Sequence, residues 1–216
     1  MVYTPNDKFA EKAKELGYRA RSVFKIEEIQ AKFKILNKGN IVLDLGAAPG
    51  SFVQYAGEIV GNSGKVIGID LQEIEVFKET NIQVFKGDIF DDETYRKIIE
   101  ETGIDQYDVI TSDLAPKTTG IRFVDGGKSL ELNLKVLEVC IKYLKKKGNA
   151  LIKILPGFNE GDLISEAKKI FRQVKKTRPK AIRKTSGESY LVCIGHIKPI
   201  PEEVVEENDN SYSFSP

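Results

Sequence analysis

The chain has 216 residues, 41% of them hydrophobic and 30% charged, with a formal net charge of +1. That length and balance describe one soluble globular domain able to bury a single sizeable core. No run reaches the roughly 18 apolar residues a membrane span requires. The opening stretch MVYTPNDKFAEKAKELG lacks an apolar centre and already carries Asp7, Glu11 and Glu15, unlike a signal or transit peptide.

Two helical patterns open the chain. One lies around 7–16, and the other around 22–34, where Val23, Ile26, Ile29 and Phe33 recur at helical spacing. Short apolar runs then fall at 41–45, 65–69, 82–86, 107–112, 149–155 and 189–195, with amphipathic helical patterns at 51–60, 91–102, 128–146 and 160–171. Strands alternating with helices predict βαβ units around a mostly parallel sheet covered on both faces. The segment 172–178 adds a strand antiparallel to 189–195. The expected organisation is one domain over 1–198, followed by an acidic, disordered tail over 199–216. Cys140 and Cys193 lie in apolar segments and read as buried free thiols of a reducing cytosol. His196 ends an apolar strand without metal-ligand company, so no metal site is expected.

Charge is unevenly placed. From Lys168 to Lys184 there are nine basic residues and no acidic one, whereas PEEVVEENDN downstream carries five acidic residues and no basic one. A nearly neutral chain with such a block suggests a polyanion partner on one face, and a solvated face is the plainer alternative.

The stretch IVLDLGAAPGSF, residues 41–52, runs a buried-looking strand into a small-residue turn before a helix. Ligands of open α/β sheets bind beyond the carboxyl ends of the strands, where small residues allow close approach and helix-start amides donate. Asp70 ends the next strand, placed for ribose hydroxyls, and Asp88 follows the third. A dinucleotide loop would read Gly-x-Gly-x-x-Gly, but this one reads Gly-x-x-Pro-Gly, and Pro49 widens the turn. Asp44 would repel a pyrophosphate yet suits a positively charged ligand. Together with Asp88, suited to an adenine amino group, this favours S-adenosyl-L-methionine over a dinucleotide or a merely structural turn.

Four further stretches carry chemistry: SVFKIEEI with Lys25, DVITSDLAP with Asp113, ALIKILPG with Lys153, and KTSGESYLV with Glu188. Lys25, Asp113 and Glu188 each have an ordinary surface reading. Lys153, flanked by Leu151, Ile152, Ile154 and Leu155, does not, since lysine is seldom buried without a reason. Taken in order, DLGAAPG, SDLAP, LIKILPG and the Arg183-x-x-Ser186-x-Glu188-x-Tyr190 pattern resemble the FtsJ/RrmJ-type RNA 2′-O-ribose methyltransferases across about 8–197. One departure is PGSF, where relatives of the bacterial ribosomal enzyme often have Gly-Gly-Trp. The resemblance implies a seven-stranded Rossmann-like sheet with an antiparallel last strand, and a catalytic tetrad of Lys25, Asp113, Lys153 and Glu188. It implies donor contacts at Gly50, Phe52, Asp70, Asp88 and Asp113. The loop residues Asp44, Gly46, Ala47 and Pro49, with Leu71 and Ile89, complete the candidate donor site.

The implied reaction moves a methyl group from S-adenosyl-L-methionine to a ribose 2′-hydroxyl, with a uridine of large-subunit ribosomal RNA as the expected target. Lys153 is assigned as base, Asp113 as its orienting carboxylate, and Lys25 and Glu188 as groups that position the ribose. RNA contacts are expected from Arg19, Arg21, Lys175, Lys176, Arg178, Lys180, Arg183 and Lys184, holding phosphates without reading sequence. A transfer RNA methyltransferase, a catalytically silent RNA-binding protein on this fold, and a nicotinamide-dependent oxidoreductase are the rival readings. A monomeric, cytoplasmic protein acting on ribosomal RNA or the large subunit is the expectation.

Overall fold

The computed structural model describes residues 7–116, 122–156, 160–183 and 185–197. The tail expected beyond residue 198, and Lys184, lie outside the described residues. Helix α1 spans Lys8–Glu15, and its N-cap Asp7 accepts from the Ala10 amide. Helix α2 spans Val23–Phe33 and stops where Lys34 turns left-handed.

The alternating region follows in chain order as β1 (Ile41–Leu45), α3 (Ser51–Val60), β2 (Lys65–Asp70), β3 (Ile82–Lys86), α4 (Asp92–Thr102), β4 (Tyr107–Ser112), α5 (Arg122–Tyr143) and β5 (Leu144–Ile154). Helix α6 (Glu160–Ile170), β6 (Phe171–Thr177) and β7 (Ser189–His196) complete the fold. The seven strands lie in the order β3-β2-β1-β4-β5-β7-β6. Strands β1 to β5 run parallel, and β7 is antiparallel to both β5 and β6.

Strand pleating sorts side chains between two cores. Leu43, Leu45, Ile110 and Ile152 pack on the face covered by α4, α5 and α6. Val42, Val109, Leu151, Tyr190 and Val192 pack on the other face, against Ile26 and Ile29 of α2 and Phe52, Val53 and Ala56 of α3. Asp44, Thr111, Lys153 and Glu188 share the strand parity of this second set, so the polar residues with chemistry face α2 and α3. Cys140 and Cys193 are free and buried in the first core.

The bounds of α5 and β5 depart from the expectation, α5 beginning at Arg122, six residues before the start read from the sequence. The helical pattern read over 128–146 stops at Tyr143, and β5 begins at Leu144. Leu144 pairs with Tyr107, but Asn149 pairs with Val109, so the strand bulges between them, with Lys147 at φ 68. The Lys145–Lys147 run favours a helix locally, and the sheet overrides it. Among the described residues, no helix is long and apolar enough to cross a membrane.

Leu151 is fully buried in the α2–α3 core. Leu151→Ala is expected to lower unfolding free energy by about 2–5 kcal/mol, measured by denaturant titration, through lost burial and a residual cavity.

Candidate active site

The site forms at the carboxyl edge of the sheet because β7 runs backwards. Its antiparallel register sets Lys153 opposite Tyr190 and Ile154 opposite Ser189, which brings Glu188 beside the end of β5. Ser112 pairs with Ile152, so Asp113 leaves β4 next to Lys153. Lys25 descends from the first turns of α2.

The four expected residues meet. Lys25 Nζ lies 2.7 Å from Glu188 Oε1. Lys153 Nζ lies 3.5 Å from Glu188 Oε2 and 3.3 Å from Asp113 Oδ1. It also donates to the Asp113 carbonyl oxygen at 3.4 Å. Lys25 and Lys153 are each 9% exposed and Glu188 8%. Burial opposes the charge on Glu188, but the Lys25 hydrogen bond and charge, with Lys153 behind them, outweigh it and hold the carboxyl below its ordinary range. Tyr190, noted in the sequence only as part of a motif, donates its hydroxyl to Asp113 Oδ1 at 2.6 Å. Two-residue spacing from Glu188 along one strand was the signal that could have placed it here. A cavity of about 250 Å³, lined by Ala20, Arg21, Ser22, Lys25, Arg183, Ser186 and Glu188, adjoins the cluster.

The glycine loop is built by backbone constraint. Gly46 and Ala47 donate to the Ile69 carbonyl at 2.9 and 3.0 Å, folding the loop over β2. Gly50 has φ 115, and a Cβ there would come within 2.5 Å of Phe77 and 3.1 Å of Arg19. Arg19 stacks its guanidinium 3.6 Å above the Phe77 ring and donates to the carbonyls of Pro49 at 3.1 Å and Glu75 at 2.7 Å. Asp70 accepts from the Ala48 amide at 3.0 Å, and Asp88 from the Phe90 amide at 3.0 Å. Leu71 and Asp88 are exposed, Ile89 is buried, and Phe52 is buried against Tyr190. Two accessible strand-end carboxylates beside a loop with no room for a Cβ at Gly46 or Gly50 fit the ribose, adenine and amino-acid parts of S-adenosyl-L-methionine.

Asp44 sits differently from the other loop residues. It is 1% exposed, accepts from Thr111 Oγ1 at 2.6 Å, and its Oδ2 has no hydrogen-bond partner among the described residues. Its carboxylate therefore lies behind the cleft rather than on its accessible surface. Burial, opposed by the Thr111 hydrogen bond and reinforced by the charges of Asp113 and Asp70, pushes its carboxyl up to about 8.

Several expected RNA contacts are spoken for within the protein. Arg19 holds the glycine loop, as described. Arg21 pairs with Asp7 and donates to the Ala181 carbonyl. Arg178 donates to the carbonyls of Glu188 and Arg183 at 3.3 and 3.5 Å and to that of Ser186, bracing the loop before β7. Lys176 pairs with Glu160. Lys175, Lys180 and Arg183 are exposed, and Arg183 lies 3.3 Å from Asp7.

A family model, FtsJ-like methyltransferase, matches residues 18–196. The chain belongs to the FtsJ-like methyltransferase family. It is 42% identical over 191 residues to the ribosomal RNA large subunit methyltransferase E of Borrelia garinii subsp. bavariensis, covering 88% of this chain and 97% of that protein. It is 43% identical over 192 residues to the protein of the same name from Syntrophobacter fumaroxidans, covering 89% and 96%. A crystal structure of a ribosomal RNA methyltransferase from Plasmodium falciparum superposes with a TM-score of 0.75 at 30% identity, covering 83% of this chain and 98% of that one. Aeropyrum pernix fibrillarin, solved with S-adenosyl-L-methionine, shares the fold with a TM-score of 0.58 at 15% identity, covering 80% and 76%. Lys25, Asp113, Lys153 and Glu188, the glycine loop, Asp70 and Asp88 all lie within the matched span.

Two variants test the loop and its buried carboxyl. Gly50→Ala is expected to weaken S-adenosyl-L-methionine binding by about 1–3 kcal/mol in a calorimetric titration, because the loop must distort. Asp44 titrates higher folded than unfolded, where an aspartate ionises near about 3.9. The stability it contributes is full below about pH 4 and lost as pH rises to about 8. Asp44→Asn removes that loss, so its melting temperature relative to the parent protein should rise between about pH 5 and about pH 8.5. A constant difference across that range would contradict the buried, raised carboxyl.

Proposed function

We propose that this FtsJ-like methyltransferase acts as a cytoplasmic monomer and methylates a ribose 2′-hydroxyl in large-subunit ribosomal RNA. The observation that carries this reading is Lys153 Nζ held 3.3 Å from Asp113 and 3.5 Å from Glu188, at the sheet edge shared with the glycine loop. The relatives' names support ribosomal RNA as the substrate.

S-adenosyl-L-methionine, when bound, supplies a methyl group already activated on a sulfonium. The protein's task is to align the hydroxyl and take its proton. Gly50 and the loop amides hold the amino-acid part, Asp70 the ribose and Asp88 the adenine. Lys153 accepts the 2′-hydroxyl proton at Nζ as the oxygen takes the methyl group. Asp113 fixes Lys153 from one side, and Tyr190 fixes Asp113 in turn. Glu188, immediately before β7, presents a carboxylate to the sugar, and Lys25, on α2, an ammonium. Exposed Lys175, Lys180 and Arg183 supply phosphate contacts, which position RNA without reading its sequence.

Lys153→Ala is expected to lower methyl transfer by roughly 10²–10⁴-fold at saturating donor and RNA, as loss of a general base does. Lys153→Arg keeps the charge but holds its proton, so it should restore little. Near-normal turnover in the arginine variant would remove the base assignment and leave an orienting role. Mapping of 2′-O-methyl groups in cells with and without the protein tests the RNA class, and a site gained only in transfer RNA would overturn the ribosomal assignment.

A further inference from the structure

Asp7 has two jobs that its position at the start of α1 does not require together. Oδ1 accepts from the Ala10 amide at 3.3 Å, which caps the helix. Oδ2 receives two guanidinium groups from distant parts of the chain. Arg21 pairs with it directly, and Arg183 Nη2 approaches to 3.3 Å. Burial opposes the charge on Asp7, but the Arg21 and Arg183 hydrogen bonds and the Arg21 charge outweigh it, and the carboxyl is held below its ordinary range.

Both arginines line the cavity whose remaining wall includes Lys25 and Glu188 of the tetrad. Arg21, Lys25 and Arg183 outnumber Glu188 in its lining, so with Asp7 withdrawn from the two arginines the space favours an anion. Two guanidiniums converging on one oxygen are also suited to phosphate, which accepts such forked donors. In RNA the 3′-phosphate is attached to the carbon next to the one bearing the 2′-hydroxyl. A ribose seated at Lys153 and Glu188 therefore places a phosphate within reach of this neighbouring cavity.

We infer that Arg21 and Arg183 form the subsite for the backbone phosphate beside the target ribose, and that Asp7 occupies it as an internal anion until RNA displaces it. This rests on the RNA reading above. The contact is autoinhibitory in a limited sense: each RNA molecule must compete with a tethered carboxylate. Displacement frees Asp7 to take up a solution cation, which offsets part of the counterion release that phosphate binding produces.

Asp7→Asn separates the two jobs, because asparagine caps a helix as well as aspartate does but carries no charge. The probe is unmethylated large-subunit ribosomal RNA made by transcription, with S-adenosyl-L-methionine saturating. The variant is expected to bind this RNA about three- to tenfold more tightly, within the range of a charge-assisted contact. The gain should appear in KM for RNA, and the plot of log affinity against log salt should steepen by about one unit. Asp7→Ser, which also caps without charge, should behave alike. Adding Arg183→Ala to Asp7→Asn should shrink the gain, since one claimant to the phosphate is gone. Equal or weaker binding with an unchanged salt slope in both Asp7 variants would overturn the inference and reduce Asp7 to a staple for α1. If the parent protein neither binds nor methylates the probe, it is the RNA reading that fails.

Discussion

Everything at the site depends on one constraint: four charges drawn largely out of water must alternate in sign. Lys25, Glu188, Lys153 and Asp113 form such a series, linked at 2.7, 3.5 and 3.3 Å. Isolated, any one of them would be costly at this depth, and removing one partner of a buried pair typically costs about 3–5 kcal/mol. The series closes only if α2 docks over β7 and β7 keeps its register. A slip of one residue would turn Tyr190 and Glu188 to the opposite face, leaving Lys25 without its carboxylate and Lys153 with Asp113 alone. The reversed strand is therefore more than an edge ornament. It carries Glu188 to the same edge where the parallel strands end and the glycine loop begins.

This also explains which features were legible in the sequence. A lysine in a run such as Leu151, Ile152, Lys153, Ile154 breaks a pattern that a strand buried on both faces should keep, so it stands out without any structure. The glycine loop is legible because close backbone approach leaves a composition signature. The alternation of strands and helices is legible for the same reason, since period and polarity are local properties. Element boundaries were read closely except at α5, which begins at Arg122 rather than 128, and at β5, where a lysine run that favours helix locally is drawn into the sheet as a bulge.

The partners of the basic segments were not legible, because pairing is decided by approach in space. Arg19, Arg21, Arg178 and Lys176 belong to the basic segments that suggested RNA, yet each engages oxygen atoms of the protein itself. Counting basic residues cannot tell a guanidinium that faces solvent from one that ties a loop. Asp7 and Arg183 meet across 176 residues of sequence, a separation no local pattern could report. Asp44 is the opposite case. Its acidity next to the glycines suggested direct contact with a positive ligand, whereas register with Thr111 encloses it behind the cleft.

The segment between α1 and α2 gains its importance from these hidden partners. Arg19 grips the Pro49 carbonyl of the glycine loop and stacks on Phe77, while Arg21, two residues along, reaches Asp7 and the Ala181 carbonyl. Lys25 then begins the charge series one turn into α2. Three cations spaced over seven residues thus touch the donor loop, the proposed phosphate subsite and the tetrad in turn. A short stretch with such contacts is stiff at both ends, since Ser22 also meets Ser51 of α3 at 2.6 Å. Displacing Asp7 would release a restraint on α1 without loosening Arg19 from the donor loop. On the proposed displacement, RNA would compete for the contacts of Asp7 while Arg19 keeps its own to Pro49 and Phe77, so the two substrates would share a scaffold without competing for the same contacts.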